Sequence, residues 1–284
     1  MPNSISGAVP AVWSKYLAKT FDAASVMVPL VNRSVEGDLA SAGDTVHVQK
    51  YGNVSVSNYT EGSDNTVQTV SLTDATLVLN QKKYFQFVID SIEQATAHLD
   101  LVKGFSKRAM VTMAQTIDDR LFTHYADTDA ANVIGTTTNP ISLTIDNVYH
   151  YFIEARRLLK AKNALEGLDD DPVAVVDVGT EALILKSPRF VQQTSEGDSV
   201  VRKATIGHLA GFRVVVSNRI TAVSNTLPLM FFTKDFISFA MRITPDKFET
   251  YKPEKQFGTG VKGLAFYGSK VFNDDAGVVL YKAN

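Results

Sequence analysis

Apolar and polar residues alternate along this chain with two different periods, and the change from one to the other marks its parts. In "AGDTVHVQKYGNVSVSNYT", residues 42 to 60, Val46, Val48, Val54 and Val56 alternate with polar neighbours. That is the period of an extended segment with one buried face. Gly52 and Asn53 add a turn or irregularity. The pattern predicts strands near 45 to 50 and 66 to 80 flanking the turn-rich "GNVSVSNYTEGSDN", a hairpin-like insertion over residues 39 to 83. So strand-prone a segment with so little of its own to bury needs something to lie against.

"KKYFQFVID" reads as a further strand, rich in aromatic and β-branched residues. The period then lengthens. Ile92, Ala95, Leu99, Val102, Phe105, Ala109, Met113, Ile117 and Leu121 recur at spacings of mainly three and four, one apolar stripe along a helix. Asp90 is placed to cap its first amides and Glu93 to complete a capping box. Continuous over 91 to 125, this helix would be about 50 Å long at a rise of ~1.5 Å per residue. That length suits a spine across a flattened subunit. Gly104 weakens it locally by roughly 1 kcal/mol relative to Ala.

"TIDNVYHYFIEARRLLKAKNALEGL" predicts a second helix with Val148, Phe152, Ala155 and Leu159 facing inward. "DDDPVAVVDVGTEALILKSPRF" predicts a buried strand, a turn and a short helix stopped near Pro188. Residues 192 to 204 are polar and loop-like, and "IGHLAGFRVVVSN" resumes ordered structure. "LPLMFFTKDFISFAMRI" is strand-prone, and "GLAFYGSKVFNDDAGVVLYKAN" reads as an antiparallel pair. The fold class is α+β, with the strands of 226 to 284 expected to return onto the long helix. The first 38 residues read as an arm, in which Trp13, Tyr16, Leu17 and Phe21 either dock on another surface or cap the chain's own core.

With 284 residues and 45% hydrophobic content, the chain can bury a sizeable core in one to three domains. A formal charge of −2 gives no support to a strongly basic nucleic-acid binder. The clusters Lys103, Lys107, Arg108 and Arg156, Arg157, Lys160, Lys162 could contact a nucleic-acid backbone without reading bases, but fit solvated faces or subunit contacts better. Cysteine is absent, which excludes disulfides and thiolate chemistry. No apolar run approaches the ~20 residues of a membrane helix, and the opening lacks a secretory pattern, so a soluble protein is expected.

Candidate chemistry is sparse. His47, His98, His124, His150 and His208 are dispersed, without HExxH or a Cys/His set, so no metal site is assigned. Asp169 to Asp171 lack the ligand spacing of a calcium loop, and Asp118-Asp119 says little alone. Gly207 and Gly211, like Gly258, Gly260 and Gly263, lack nucleotide-loop spacing. No G-x-S-x-G elbow is present, so a Ser-His-Asp set would have to come from distant positions. No catalytic residue and no cofactor are assigned.

The order of these parts resembles a tailed-bacteriophage major capsid protein with the HK97 fold, most similar to the family named for the P22 coat protein. The resemblance spans nearly the whole chain. It rests on "AGDTVHVQKYGNVSVSNYT" followed by "YFQFVIDSIEQA", and on "IGHLAGFRVVVSN". It implies an N-terminal arm over 1 to 38 and an extended loop over 39 to 83. A peripheral domain with the spine helix would cover 84 to 130 and an axial domain 131 to 225. The strands of 226 to 284 would return at least partly to the peripheral domain.

Also implied are hexamers and pentamers in an icosahedral shell around double-stranded DNA, in a virion assembled in the host cytoplasm. Partners would be many copies of the chain itself, a scaffolding protein, a portal and, in some shells, a decoration protein, with no membrane. On this resemblance Val46, Val48, Tyr51, Val54, Val56 and Tyr59 are loop contacts between subunits, with Trp13, Tyr16 and Phe21 anchoring the arm. Gly207, Gly211 and Phe212 shape the axial domain. Some members crosslink their subunits; Lys50, Lys82 and Lys83 lie where a lysine would serve, but no partner constellation is identifiable, so a noncovalent shell is expected. The alternatives are another phage structural component, such as a tail or decoration protein, and an encapsulin-like compartment protein. A hydrolase is the distant enzymatic alternative.

Overall fold

The computed structural model describes residues 20, 21, 24–34, 45–51, 54, 56, 58, 59, 67–70, 72–90, 101–165, 171–187, 206–242, 249–254 and 257–284. The period-two segment forms an antiparallel ribbon. Strand β1 (Thr45–Tyr51) pairs with β2 (Leu72–Val78) in a register running from Thr45 opposite Val78 to Tyr51 opposite Leu72. The second strand was expected from 66; residues 67–70 are described but lie outside any strand. The ribbon forms a two-stranded sheet of its own.

Two residues beyond β2, strand β3 (Gln81–Asp90) enters a four-stranded sheet with β9 (Ile237–Arg242), β10 (Glu249–Tyr251) and β11 (Gly258–Val271). The 14-residue β11 organises it, pairing with β3 over Gly258 to Tyr267 and with β9 over Phe266 to Val271. A Cβ added at Gly268 would lie 2.3 Å from the Val78 carbonyl oxygen, so glycine lets β11 pass close to the foot of the ribbon. β3 alternates. Ile89 is buried with Val102 and Val261, packed by Phe85 and Phe87, while Tyr84, Gln86 and Val88 are exposed.

Helix α1 (Leu101–Phe122) packs on the inner face, at ~1.5 Å per residue about 33 Å long. Residues 91–100, with Glu93 of the expected capping box, lie outside the described residues. At its other end the helix stops at Phe122 rather than 125, and Thr123–Asp127 tightens into a 3₁₀ turn. The buried stripe is Val102, Ser106, Met110, Met113, Ile117 and Leu121. Phe105 and Ala109, expected within it, are not buried, because Phe105 sits at the rim with its ring 6.1 Å from that of Phe87.

The second sheet has six strands in the order β4-β12-β8-β5-β7-β6. These are β4 (Val133–Ile134), β5 (Val173–Val176), β6 (His208–Leu209), β7 (Phe212–Val216), β8 (Thr226–Phe232) and β12 (Gly277–Ala283). β5 is buried at every position, parallel to β7 and antiparallel to β8, as its unbroken apolar run requires. Helix α2 (Val148–Ala161) buries Val148, Phe152, Ala155 and Leu159, the four positions expected. Phe152, Phe212 and Phe231 meet steeply edge-on, with ring centroids 5.0 to 6.3 Å apart. Helix α3 (Val178–Lys186) starts at Asp177, whose carboxylate accepts from the amides of Gly179 and Thr180.

β11 and β12 do not pair with each other, contrary to the antiparallel pair read from 263 to 284. β11 stays in the four-stranded sheet and β12 crosses to the six-stranded one. The burial patterns supply the reason. β12 opens with four consecutive buried residues, which suits a strand covered on both faces, whereas β11 mixes buried with half-exposed positions. The preceding strands divide the same way, β8 into the six-stranded sheet and β9 into the four-stranded one. One apolar cluster runs through both, containing Phe239 and Tyr267 as well as Phe231 and Leu280.

Candidate assembly surfaces

The ribbon is anchored at its foot. Leu77 and Leu79 are buried with Ala240 of β9. Beyond them Val54, Val56, Tyr59, Val67 and Val70 are all exposed, Val56 at 97% and Val67 at 91%. Of the loop residues singled out in the sequence, Val54, Val56 and Tyr59 belong to this exposed group. Val46, Val48 and Tyr51 lie on β1, opposite Leu77, Ala75 and Leu72.

A second open surface is the outer face of the four-stranded sheet. Tyr84 is 77% exposed there, opposite Leu264 of β11. The Lys262 ammonium lies 5.8 Å from the centre of the Tyr251 ring, and that of Lys82 lies 5.9 Å from the centre of Phe266. The Gln86 side-chain amide donates to the Tyr251 hydroxyl. Lys82 and Lys262 lie on this face, with Asp90 at the end of β3 and Glu249 opposite Lys262, while Lys83 falls on the other side of the strand. Residues 45 to 78 carry Lys50 against Glu61, Asp64 and Asp74.

The arm residues separate. Trp13 and Tyr16 lie outside the described residues. Phe21 is 0% exposed and belongs to the chain's own main apolar cluster, so its ring has no surface to offer a neighbour. The segment after it is tied to the spine helix. The Asp118 carboxylate accepts from Ser25 Oγ at 2.6 Å and from the amides of Val26 and Met27 at 2.8 and 3.1 Å. Burial pushes the Asp118 carboxyl above the usual carboxylate range, against these donors. Its neighbour Asp119 pairs through both oxygens with Arg219, which follows β7. The acidic pair that said little in sequence thus ties two distant segments to one helix.

Gly211 and Phe212 have structural work. Ala210 and Gly211 both have positive φ, 51° and 79°, the two central positions of the β6–β7 turn. An added Cβ at Gly211 would fall 1.2 Å from Nη1 of Arg156, which donates to the Ala210 carbonyl at 2.6 Å. Gly207 has nothing within 4 Å of its Cβ position. Three further ion pairs brace the six-stranded sheet and its flanks. Lys282 of β12 meets Asp177 at 2.7 Å, and Lys162 reaches Asp129 and Asp275 at 2.6 and 2.8 Å. Burial raises the Asp177 carboxyl, but Lys282 and Thr180 together hold it below its ordinary value.

Among the described residues no group of three or more His, Cys, Asp or Glu side chains could hold a metal ion, and no helix is long and apolar enough to cross a membrane. Asp171 contacts the exposed His208 at 3.1 Å; Asp169 and Asp170 lie outside the described residues.

No curated protein matches the chain in sequence. Solved structures do match it. One from Mycobacterium phage Che8 superposes with a TM-score of 0.72 at 21% identity, over 90% of each chain. The capsid of cyanophage P-SCSP1u gives 0.72 at 16% identity, over 92% of this chain and 88% of the other. A virus-like particle from Pyrococcus furiosus matches at 0.55 and 12% identity, over 93% and 95%. The fold alone therefore does not separate a phage shell from other particles. The sequence does, because a family described as phage capsid protein matches residues 75–281, although this match does not single out the P22 branch. The chain thus belongs to the phage capsid protein family, a structural major capsid protein built on the HK97-like fold.

Proposed function

We propose that many copies of the chain form a closed icosahedral shell of hexamers and pentamers around double-stranded DNA, with each ribbon laid over a neighbouring subunit. The observation that carries this is the exposed apolar group at Val54, Val56, Tyr59 and Val67, beyond a ribbon foot where Leu77 and Leu79 are buried. The ribbon and the outer face of the four-stranded sheet are different surfaces. A contact between them is heterologous, the kind that closes into rings when the rotation fits. Many moderate contacts of this sort hold a closed assembly without any one being tight.

Within the shell, residues 1 to 38 serve as the arm, with Trp13 and Tyr16 as its anchors. Residues 39 to 83 serve as the extended loop, and 84 to 130 carry the peripheral spine. Residues 131 to 225 form most of the axial domain, in which Gly207, Gly211 and Phe212 set the shape. β8 and β12 pair within the sheet of β5 and β7, which supports assigning these two strands to the axial domain and β9 to β11 to the peripheral one. The fold order also supports kinship with the P22 coat protein. A scaffolding protein and a portal complete assembly in the host cytoplasm, DNA is held without sequence reading, and a decoration protein is an additional partner of the finished shell.

Co-expression with the scaffolding partner, followed by sedimentation and electron microscopy, tests this reading. Closed particles with five- and six-fold capsomers are expected. Open tubes or rings built through other surfaces would favour a tail or accessory component, and closed particles loaded with protein cargo instead of DNA would favour a compartment.

A further inference from the structure

We infer that Ser269 is an activated nucleophile, set by His124 and Asp127 to attack an acyl or phosphoryl electrophile. The three residues come from separate places. Ser269 lies on β11, and His124 and Asp127 lie in the 3₁₀ turn that ends the spine helix. His124 Nε2 is 2.7 Å from Ser269 Oγ, and Nδ1 is 2.6 Å from Asp127 Oδ2. With Nδ1–H donating to Asp127, Nε2 is left to accept the Ser269 hydroxyl proton. This is the order of roles that a serine nucleophile needs: hydroxyl, imidazole base, orienting carboxylate.

Burial pushes the His124 imidazole below its usual value, so it is the neutral base at pH 7. The side chain is buried, whereas Asp127 is half exposed and the trio lines an open recess with Lys270, Phe272 and Asp274. An electrophile can therefore approach Ser269 from solvent. Arg120, the remaining charged group acting on His124, disfavours its protonated form and so also favours the base.

In the attack, Ser269 Oγ forms a bond to the acyl carbon or phosphorus while its proton passes to Nε2. The leaving group departs with the electron pair of the bond it loses, and the Asp127 carboxylate stabilises the imidazolium until its proton returns to water. With a fluorophosphonate the new bond is P–O, the broken bond is P–F, and fluoride leaves. The step inferred is formation of the adduct, which makes Ser269 a covalent modification site at the junction of spine helix and sheet.

The test uses the full chain and an alkyl fluorophosphonate, with peptide mass mapping of the adduct and a serine hydrolase as a positive control. A single adduct on Ser269 is expected, lost in Ser269→Ala. Its rate should fall by at least about 100-fold in His124→Gln, the low end for a general base. Asp127→Asn, at a half-exposed position that folding tolerates, should lower the rate by at least about tenfold, which keeps the base assignment testable should His124→Gln not fold. Absence of a Ser269 adduct under conditions that saturate the control overturns the inference, as does labelling unchanged in folded His124→Gln or in Asp127→Asn. The three residues would then only pin the helix end to β11.

Discussion

The ribbon and strand β5 use similar residues to opposite ends. β5 reads Val-Ala-Val-Val and is buried at all four positions, between β7 and β8. The ribbon carries Val54, Val56, Val67 and Val70 in the open, with Leu77 and Leu79 packed at its foot. Strand propensity is alike in the two, so it does not decide their fate. Neighbours do. Full burial of a valine is worth roughly 1.5–3 kcal/mol, which β5 gains inside the subunit and the ribbon can gain only from another molecule.

The contrast gives a graded set of expectations. Phe231→Ala, which removes the ring between Phe152 and Phe212, should destabilise the isolated subunit most, by about 3–5 kcal/mol in urea unfolding. Asp118→Ala leaves Ser25 and two amides without their acceptor and should cost about 1–3 kcal/mol. Limited proteolysis should then cut at Ser25 to Met27 well before the six-stranded sheet opens.

Smaller again is the pH response of the ion pair between β12 and the start of α3. Asp177 is held below its ordinary carboxyl value, so its contribution is present above about pH 4 and is lost as pH falls through its folded value. The stability gap between the wild type and Asp177→Asn should therefore narrow as melting is followed from about pH 5 to 3. Asp118 has the opposite sign. Its carboxyl is raised by burial, so its contribution is full below the ordinary value and declines as pH rises through the folded one. The gap to Asp118→Ala should widen over the same descent. A common slope for both variants would show that these two carboxyls do not govern the acid limb.

The smallest effect on subunit stability belongs to the ribbon. Val56→Asp and Tyr59→Ala should shift it by no more than about 0.5 kcal/mol, as at other exposed positions, while sharply lowering the yield of sedimenting shells. A destabilised subunit with unchanged shell yield would reverse the contrast with β5.

Legibility in the sequence followed how far each element's burial is set locally. Val148, Phe152, Ala155 and Leu159 form a stripe on a helix polar elsewhere, and all four are buried. Along α1 the stripe slipped to Ser106 and Met110, because an apolar Phe105 can sit at a sheet rim while a serine is enclosed. β11 and β12, close in sequence, read as a hairpin; their different burial patterns, which send them to different sheets, are a tertiary property. Phe21 likewise looks the same in sequence whether it docks outward or fills the core. The ribbon was legible as a hairpin-like element, and β1 and β2 pair antiparallel. The Ser269–His124 contact joins residues 145 apart, with no local pattern to announce it.

In the proposed shell the ribbon finishes its burial on another copy of the chain. A cryo-electron microscopy reconstruction of wild-type shells, with side chains placed for residues 54 to 70, tests it most directly. Val56 and Tyr59 are expected enclosed against a neighbouring subunit, over the face that bears Tyr84 and Lys262. Closed shells whose ribbons stand in solvent, with Val56 as bare as in the single subunit, would contradict it.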